Sequence, residues 1–358
     1  MKAVIVEAYG EPLVVSEVEE LPLGAHELRL HTGASGVCHS DLSIAKGEYP
    51  APVPLVLGHE GVGTVVEVGE AVTGARPGDR VIGTFVPACG TCWQCQAGRS
   101  HCCDGSGRIG DPPRVRRDGV DIPSLCGLGT MAESMRANEV NVVKVETDLP
   151  DDQLALIGCG VTTGVGAALW TAEVKPGSSV AVFGCGGVGL SVLQGARIAG
   201  AALIIAIDLF ESKRKAALDQ GATHVIDPED GDVVEQLQAI TKGRGVEYTF
   251  EAIATLGTMR QAYDATCKGG TVTYVGGLSS KAELSLPANM LHLQAKRLLG
   301  SAYGSAQVRR HIPQLITLVE TGRLDLGSMV TRRIGLHDVD AAFTAMEQGE
   351  VIRSVITF

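Results

Sequence analysis

From residue 1 to about 155 the apolar positions come in short runs, among them Leu13–Val15, Gly63–Val68 and Arg80–Gly83, broken by glycine and proline. Short apolar runs between turn residues predict a β-rich domain. From about Pro176 the pattern changes to apolar strands alternating with helical stretches. It predicts strand Ser179–Phe183, helix Val188–Ala199, strand Leu203–Ile207, helix Glu211–Gln220 and strand His224–Ile226. Helix Gly231–Thr241, strand Val246–Glu251, helix Leu256–Cys267 and strands Thr271–Val275 and Arg297–Ala302 follow. Six strands with crossovers predict an α/β fold with a doubly wound parallel sheet. Beyond 303 the chain offers a helix, Gln307–Glu320, and a strand-like run, Val351–Ile356, expected to return to the first domain. Asp104–Asp121, with glycine, proline and four arginines, reads as a long mobile loop.

Composition narrows the class. A chain of 358 residues, 45% hydrophobic and 20% charged, can bury two ordinary cores. A formal charge of -11 argues against a nucleic-acid partner, which needs a basic face. The N-terminus enters an apolar run carrying Glu7 without the parts of a signal peptide, so a cytoplasmic protein is expected. Val180–Ile207 is apolar, but its glycines, Gln194 and Arg197 divide it into strand, turn, helix and strand, so no membrane span is expected. Ten cysteines in a reducing compartment suggest metal ligands or buried thiols rather than disulfides.

Gly184-Cys185-Gly186-Gly187-Val188-Gly189 follows an apolar strand and opens a helix. In that setting Gly184, Gly186, Gly187 and Gly189 permit a tight turn and close approach of a pyrophosphate to the helix N-terminus. Asp208 ends the next strand, where a carboxylate accepts ribose hydroxyls and repels a 2′-phosphate, which points to NAD over NADP. The plainer role for Asp208 is to cap the following helix. Lys213, five residues on, is placed to reach the same ribose.

Cys89, Cys92, Cys95 and Cys103 form C-x2-C-x2-C-x7-C, a spacing that lets four thiolates close around one structural Zn²⁺. Cys102 competes with Cys103 for the fourth position. A second set is dispersed: Cys38 in GVCHSD, His59 in GHEG and Cys159 in GCGVTTG. Two thiolates and one imidazole leave a fourth position open, as a catalytic zinc requires. Taken singly, each of the three reads equally well as a packing residue.

These motifs, in this order and nearly throughout the chain, resemble the zinc-containing medium-chain alcohol dehydrogenases of the liver-type and related bacterial branch. The resemblance implies a GroES-like catalytic domain from both chain ends (1–160, with the zinc lobe 87–104, and 303–358) and an inserted Rossmann domain (161–302). It implies two zinc ions per chain, one catalytic on Cys38, His59 and Cys159 and one structural on Cys89, Cys92, Cys95 and Cys103. Asp41 and Glu60 match carboxylates behind the catalytic metal, the first orienting the histidine. Ser40 matches the hydroxyl that receives the alcohol proton. Thr163, Val188 and Val275 match positions lining the nicotinamide, His39 and Arg353 positions facing the pyrophosphate, and Phe85 a pocket residue. The implied reaction is reversible oxidation of a primary or secondary alcohol to an aldehyde or ketone. The metal acidifies the alcohol, and hydride passes to NAD.

Three positions depart from the pattern. The proton relay of the best-known members ends at a histidine where this chain has Ser43, so release is expected to end on water or another base, with His39 one candidate. Tyr49 stands where glutathione-dependent relatives carry an acid, which argues against that substrate. Gly127 falls in a stretch where liver-type enzymes place an aromatic wall, which predicts a bias to bulky or aromatic alcohols. The competing activities are a polyol dehydrogenase and a nicotinoprotein, which keeps its NAD bound. The non-enzymatic alternative is a zinc-stabilised scaffold. By resemblance, the length of Asp104–Gly129 favours a homodimer over a homotetramer, acting on small molecules with no nucleic acid or membrane partner.

Overall fold

The computed structural model describes residues 1–105, 112–279 and 281–358, so the first half of the expected loop Asp104–Asp121 lies largely outside the described residues. The chain divides into two compact units. One comprises residues 1–159, 307–322 and 326–358, and the other residues 160–306 and 323–325.

The first unit is built on a sheet with the strand order Val142–Lys144, Arg80–Gly83, Gly61–Val68, Glu27–Gly36, Arg353–Thr357, Val330–Ile334. The strand Arg353–Thr357 comes from the far end of the chain: Val355 pairs antiparallel with Gly36 and Ile356 with Ser35. That pairing fastens the terminus beside the segment leading to Cys38. Leu28, Leu30, Val65 and Val81 alternate inward to form one core, and Val4, Leu42, Leu55, Leu57 and Ile356 form another. Alternation at period two is the signature of sheets that bury one face.

The second unit is a six-stranded parallel sheet ordered His224–Ile226, Leu203–Ile207, Ser179–Phe183, Val246–Glu251, Thr266–Tyr274, Arg297–Gly300. The order reverses between Ser179–Phe183 and Val246–Glu251. At such a switch point the crevice outside the strand ends receives ligands. Ala181, Phe183, Ile205, Ile207 and Val272 are fully or nearly fully buried, as parallel strands covered on both faces demand.

Several expected elements change. Thr266–Tyr274 is one strand, so the preceding helix stops at Ala265. Within the expected loop, Val115–Arg117 and Val120–Ile122 form a hairpin. Asp118 and Gly119 turn it with φ of 52° and 78°, the left-handed pair that an Asp-Gly turn supplies. Asp151–Thr171 runs through helical turns, a stretch for which the apolar pattern had offered no element. This stretch is long and apolar enough to cross a membrane, but 72% of its apolar 18-residue window is buried within the fold.

Candidate functional site

In the first unit the chain leaves the strand Glu27–Gly36 and enters the helix His39–Ala45 at Cys38, the helix N-cap with φ of -110°. Asp41, wholly buried, ties the approach together. Its Oδ2 accepts the Cys38 amide at 3.1 Å, and its Oδ1 accepts the Gly58 amide at 3.2 Å and His59 Nδ1 at 3.1 Å. The carboxylate thus fixes the imidazole with Nε2 turned the other way. Gly58 has φ of 97°, and a Cβ there would sit 2.4 Å from the Met131 amide nitrogen, so only glycine brings His59 into place.

One ligand atom each from Cys38, His59, Glu60 and Cys159 lies within 4.8 Å of the others. Cys38, His59 and Glu60 are buried. The Cys38 thiol is drawn well below its ordinary range, chiefly by a hydrogen bond from the Cys159 thiol, against the effect of burial. Burial pushes Glu60 up to about 7 in spite of Arg353. Soft donors converging in a dry setting match the demand of zinc. The Ser40 hydroxyl donates to Cys38 Sγ at 3.2 Å and lies 3.1 Å from His59 Nε2, at the mouth of the cluster. The Phe85 ring stands edge-on to His59, with centroids 5.8 Å apart, an apolar surface beside the donors.

Sequence reasoning assigned Arg353 to a pyrophosphate. In the structure its guanidinium is 6% exposed and bonded to Glu60, for a buried carboxylate needs a counter-charge. The partners are 293 residues apart, and no local pattern announces the pair. Cys126 was also missed. It occupies the turn Leu125–Gly127, where it and Gly127 take φ of 55° and 68°. Burial pushes its thiol up to about 11, and it feels the charges of His59 and Asp41. Gly127 is buried in the same turn, Tyr49 packs on the core that contains Leu42 and Leu57, and His39 is exposed at the first turn of its helix.

The lobe cysteines form the second group: Cys89, Cys92, Cys95 and Cys103 also offer Sγ atoms within 4.8 Å of one another. The Cys92 amide donates to Cys89 Sγ and the Cys95 amide to Cys92 Sγ, each at 3.4 Å. The Cys92 amide favours the Cys89 thiolate, which is lowered to about 6, whereas burial raises Cys95 to about 12. Cys102 is exposed and outside the group.

In the second unit Gly184 takes φ of 91°, and a Cβ on Gly189 would lie 1.7 Å from the Gly184 carbonyl oxygen. Both glycines are demanded by the turn. Gly186 is different: a Cβ there would meet nothing within 4 Å, which leaves an open cradle at the N-terminus of the helix Gly187–Ile198. Asp208 accepts the Cys185 amide at 2.7 Å and the Phe210 amide at 2.9 Å, so it braces the cradle while keeping further lone pairs. Lys213 Nζ sits 4.7 Å over the Phe210 ring centroid. Thr163 lies in the short helix Thr162–Gly166, where Gly164 admits the Val188 carbonyl, and the Val275 amide donates to the Glu251 backbone carbonyl at 2.9 Å.

Fold and sites together describe a metal-binding, nucleotide-dependent dehydrogenase. Residues 24–147 match the alcohol dehydrogenase GroES-like domain family and 187–321 the zinc-binding dehydrogenase family. An S-(hydroxymethyl)glutathione dehydrogenase of Synechocystis is 36% identical over 100% of this chain and 99% of its own. One from Paracoccus denitrificans is 37% identical over 99% of both. Among solved structures, an alcohol dehydrogenase zinc-binding domain protein from Burkholderia ambifaria superposes with a TM-score of 0.94 at 32% identity, over 100% of this chain and 98% of that one. The benzyl alcohol dehydrogenase of Acinetobacter calcoaceticus gives 0.93 at 30% identity, over 100% and 99%. The chain belongs to the zinc-containing medium-chain alcohol dehydrogenases. It is a zinc-dependent oxidoreductase of alcohols that works with a nicotinamide cofactor.

Proposed function

We propose that the chain oxidises a bulky primary or secondary alcohol, of the benzyl type, with NAD, at a zinc held by Cys38, His59 and Cys159. The observation that carries this reading is the buried convergence of two thiols and an imidazole, with Asp41 behind the imidazole. Zinc bound there supplies a Lewis acid that acidifies an alcohol hydroxyl, and the nicotinamide supplies the hydride acceptor. Asp41 fixes the imidazole, Arg353 balances Glu60, and Ser40 is placed to take the alcohol proton. Phe85 offers the apolar wall on which a substrate ring packs.

For the substrate, Tyr49 supports an alcohol other than a glutathione adduct, although several relatives bear that activity in their names. Burial first, then Glu48, raises its phenol, so the position offers an aromatic surface with no charge to hold a peptide. Gly127 adds no side chain of its own, and the likeness to a benzyl alcohol dehydrogenase agrees with a wide pocket. For the cofactor, Asp208 supports NAD, and Arg214 is committed to Asp227 at 2.6 Å and so is not offered to a 2′-phosphate. One solved relative, from Sinorhizobium meliloti, was bound to NADP, which makes the comparison worth measuring. The four-cysteine lobe holds the second, structural zinc in this reading. A cytoplasmic homodimer is the proposed assembly, on the resemblance in the length of Asp104–Gly129 and on ten free cysteines.

A panel of alcohols oxidised with NAD and with NADP tests this reading. Benzyl alcohol with NAD is expected to give a kcat/KM at least about tenfold above that of ethanol, the scale on which apolar pocket contacts discriminate. A preference for ethanol, or for NADP, contradicts it.

A further inference from the structure

We infer that Glu48 is the outer end of the route by which the alcohol's proton reaches solvent, with Ser43 as the link. The inference rests on the alcohol dehydrogenase reading above. Its basis is one short helix. His39–Ala45 starts at Cys38 and carries Ser40 and Ser43 three residues apart, hence on the same side, with Cβ atoms about 5–6 Å apart. The inner hydroxyl, Ser40, touches Cys38 Sγ and His59 Nε2. The outer one, Ser43, is only 6% exposed and donates its proton to Glu48 Oε2 at 2.7 Å. Glu48 itself is exposed. A buried hydroxyl that donates outward to a carboxylate turns its lone pairs inward, ready to receive. One water bridging the two hydroxyls would complete the proposed route from Ser40 to Ser43.

The local fold sets this contact. Gly47 takes φ of 75°, which reverses the chain after the helix, and the Glu48 amide donates to the Ser43 carbonyl at 2.8 Å. The carboxylate is thereby returned to the residue whose hydroxyl it accepts. The charged and titratable groups around it are Lys46, bonded to Glu347 of the helix Val339–Glu347, and Tyr49, whose phenol is held protonated by burial. Tyr9 packs at Gly47 with its hydroxyl on the Ala51 carbonyl. Glu48 forms no ion pair among the described residues, so its lone pairs stay open to a proton. His39, the alternative base, stands exposed at the opposite end of the helix.

The balance is simple. The alcohol O–H bond breaks, and each hydroxyl on the route accepts one proton as it passes on its own. Glu48 becomes a carboxylic acid and releases the proton to solvent. The pair of electrons in the C–H bond leaves as hydride to the nicotinamide, and the carbonyl forms.

The test uses the zinc-loaded enzyme in dilute buffer, with a pH-indicator dye following proton release and absorbance following nicotinamide reduction in a single turnover. In the wild type the proton is expected to appear together with the reduced nicotinamide. In Glu48→Gln, which keeps a hydrogen-bond acceptor but no base, proton release is expected to slow on the order of tenfold. A high concentration of a small buffer is expected to restore it, with zinc content and melting temperature unchanged. Ser43→Ala should reproduce the defect, and the double variant should be no worse. Unaltered timing and no buffer effect in Glu48→Gln overturn the role of Glu48 alone. A wild type that reduces no nicotinamide with any alcohol overturns the parent reading, and this inference with it.

Discussion

At the scale of single residues, Asp41 organises the metal end of the site. It fixes the N-cap at Cys38, the turn at Gly58 and the ring of His59, all through one buried carboxylate. Such an outer carboxylate both orients a ligand histidine and raises its basicity. Asp41→Asn, which keeps the shape but not the charge, is expected to weaken zinc at Cys38, His59 and Cys159 by about tenfold or more in a chelator competition. The zinc of the cysteine lobe should hold as before, and equal retention of both ions contradicts the assignment. Ser40, Asp41 and Glu60 were legible as residue types in short motifs. The Glu60–Arg353 pair was not, because nothing in the chain connects positions so far apart except the return of the last strand to Gly36.

Among the elements, the glycine turn between Ser179–Phe183 and Gly187–Ile198 separates two demands that its sequence presents as one motif. Gly189 is required by packing, since a Cβ would strike the Gly184 carbonyl, whereas Gly186 borders open space with an ordinary φ of -74°. Gly186→Ala is therefore expected to keep its melting temperature and to lose about tenfold or more in NAD affinity, read by calorimetry, because the added methyl enters the space that admits a pyrophosphate. Gly189→Ala is expected to lower the melting temperature outright. The opposite ranking would show that the cradle is not where the cofactor's phosphates lie. The strands of this unit were legible because continuous apolar runs have few alternatives, and five of the six match their expected starts. The hairpin at Asp118–Gly119 was read as loop, since its strands are three residues each and their arginines hide any alternation. The helical turns through Asp151–Thr171 were hidden by glycines that lower helix propensity but that close packing demands: a Cβ on Gly164 would lie 2.4 Å from the Val188 carbonyl oxygen and one on Gly166 2.5 Å from that of Gly304.

For the whole molecule, the ten cysteines were read as metal ligands or buried thiols, and six of them fall in the two groups that can hold an ion. What remained beyond the sequence was convergence. Cys38, His59 and Cys159 lie on a helix cap, a glycine turn and a helical stretch, and only the fold brings their ligand atoms within 4.8 Å. That convergence is the proposed reacting centre. Its most direct test is the rate of NAD reduction by benzyl alcohol in Cys38→Ser against wild type at equal folded protein. The variant is expected to lose at least about a thousandfold in rate, since the metal's acidifying effect on the alcohol goes with its ligand. A variant that keeps most of the wild-type rate would contradict it.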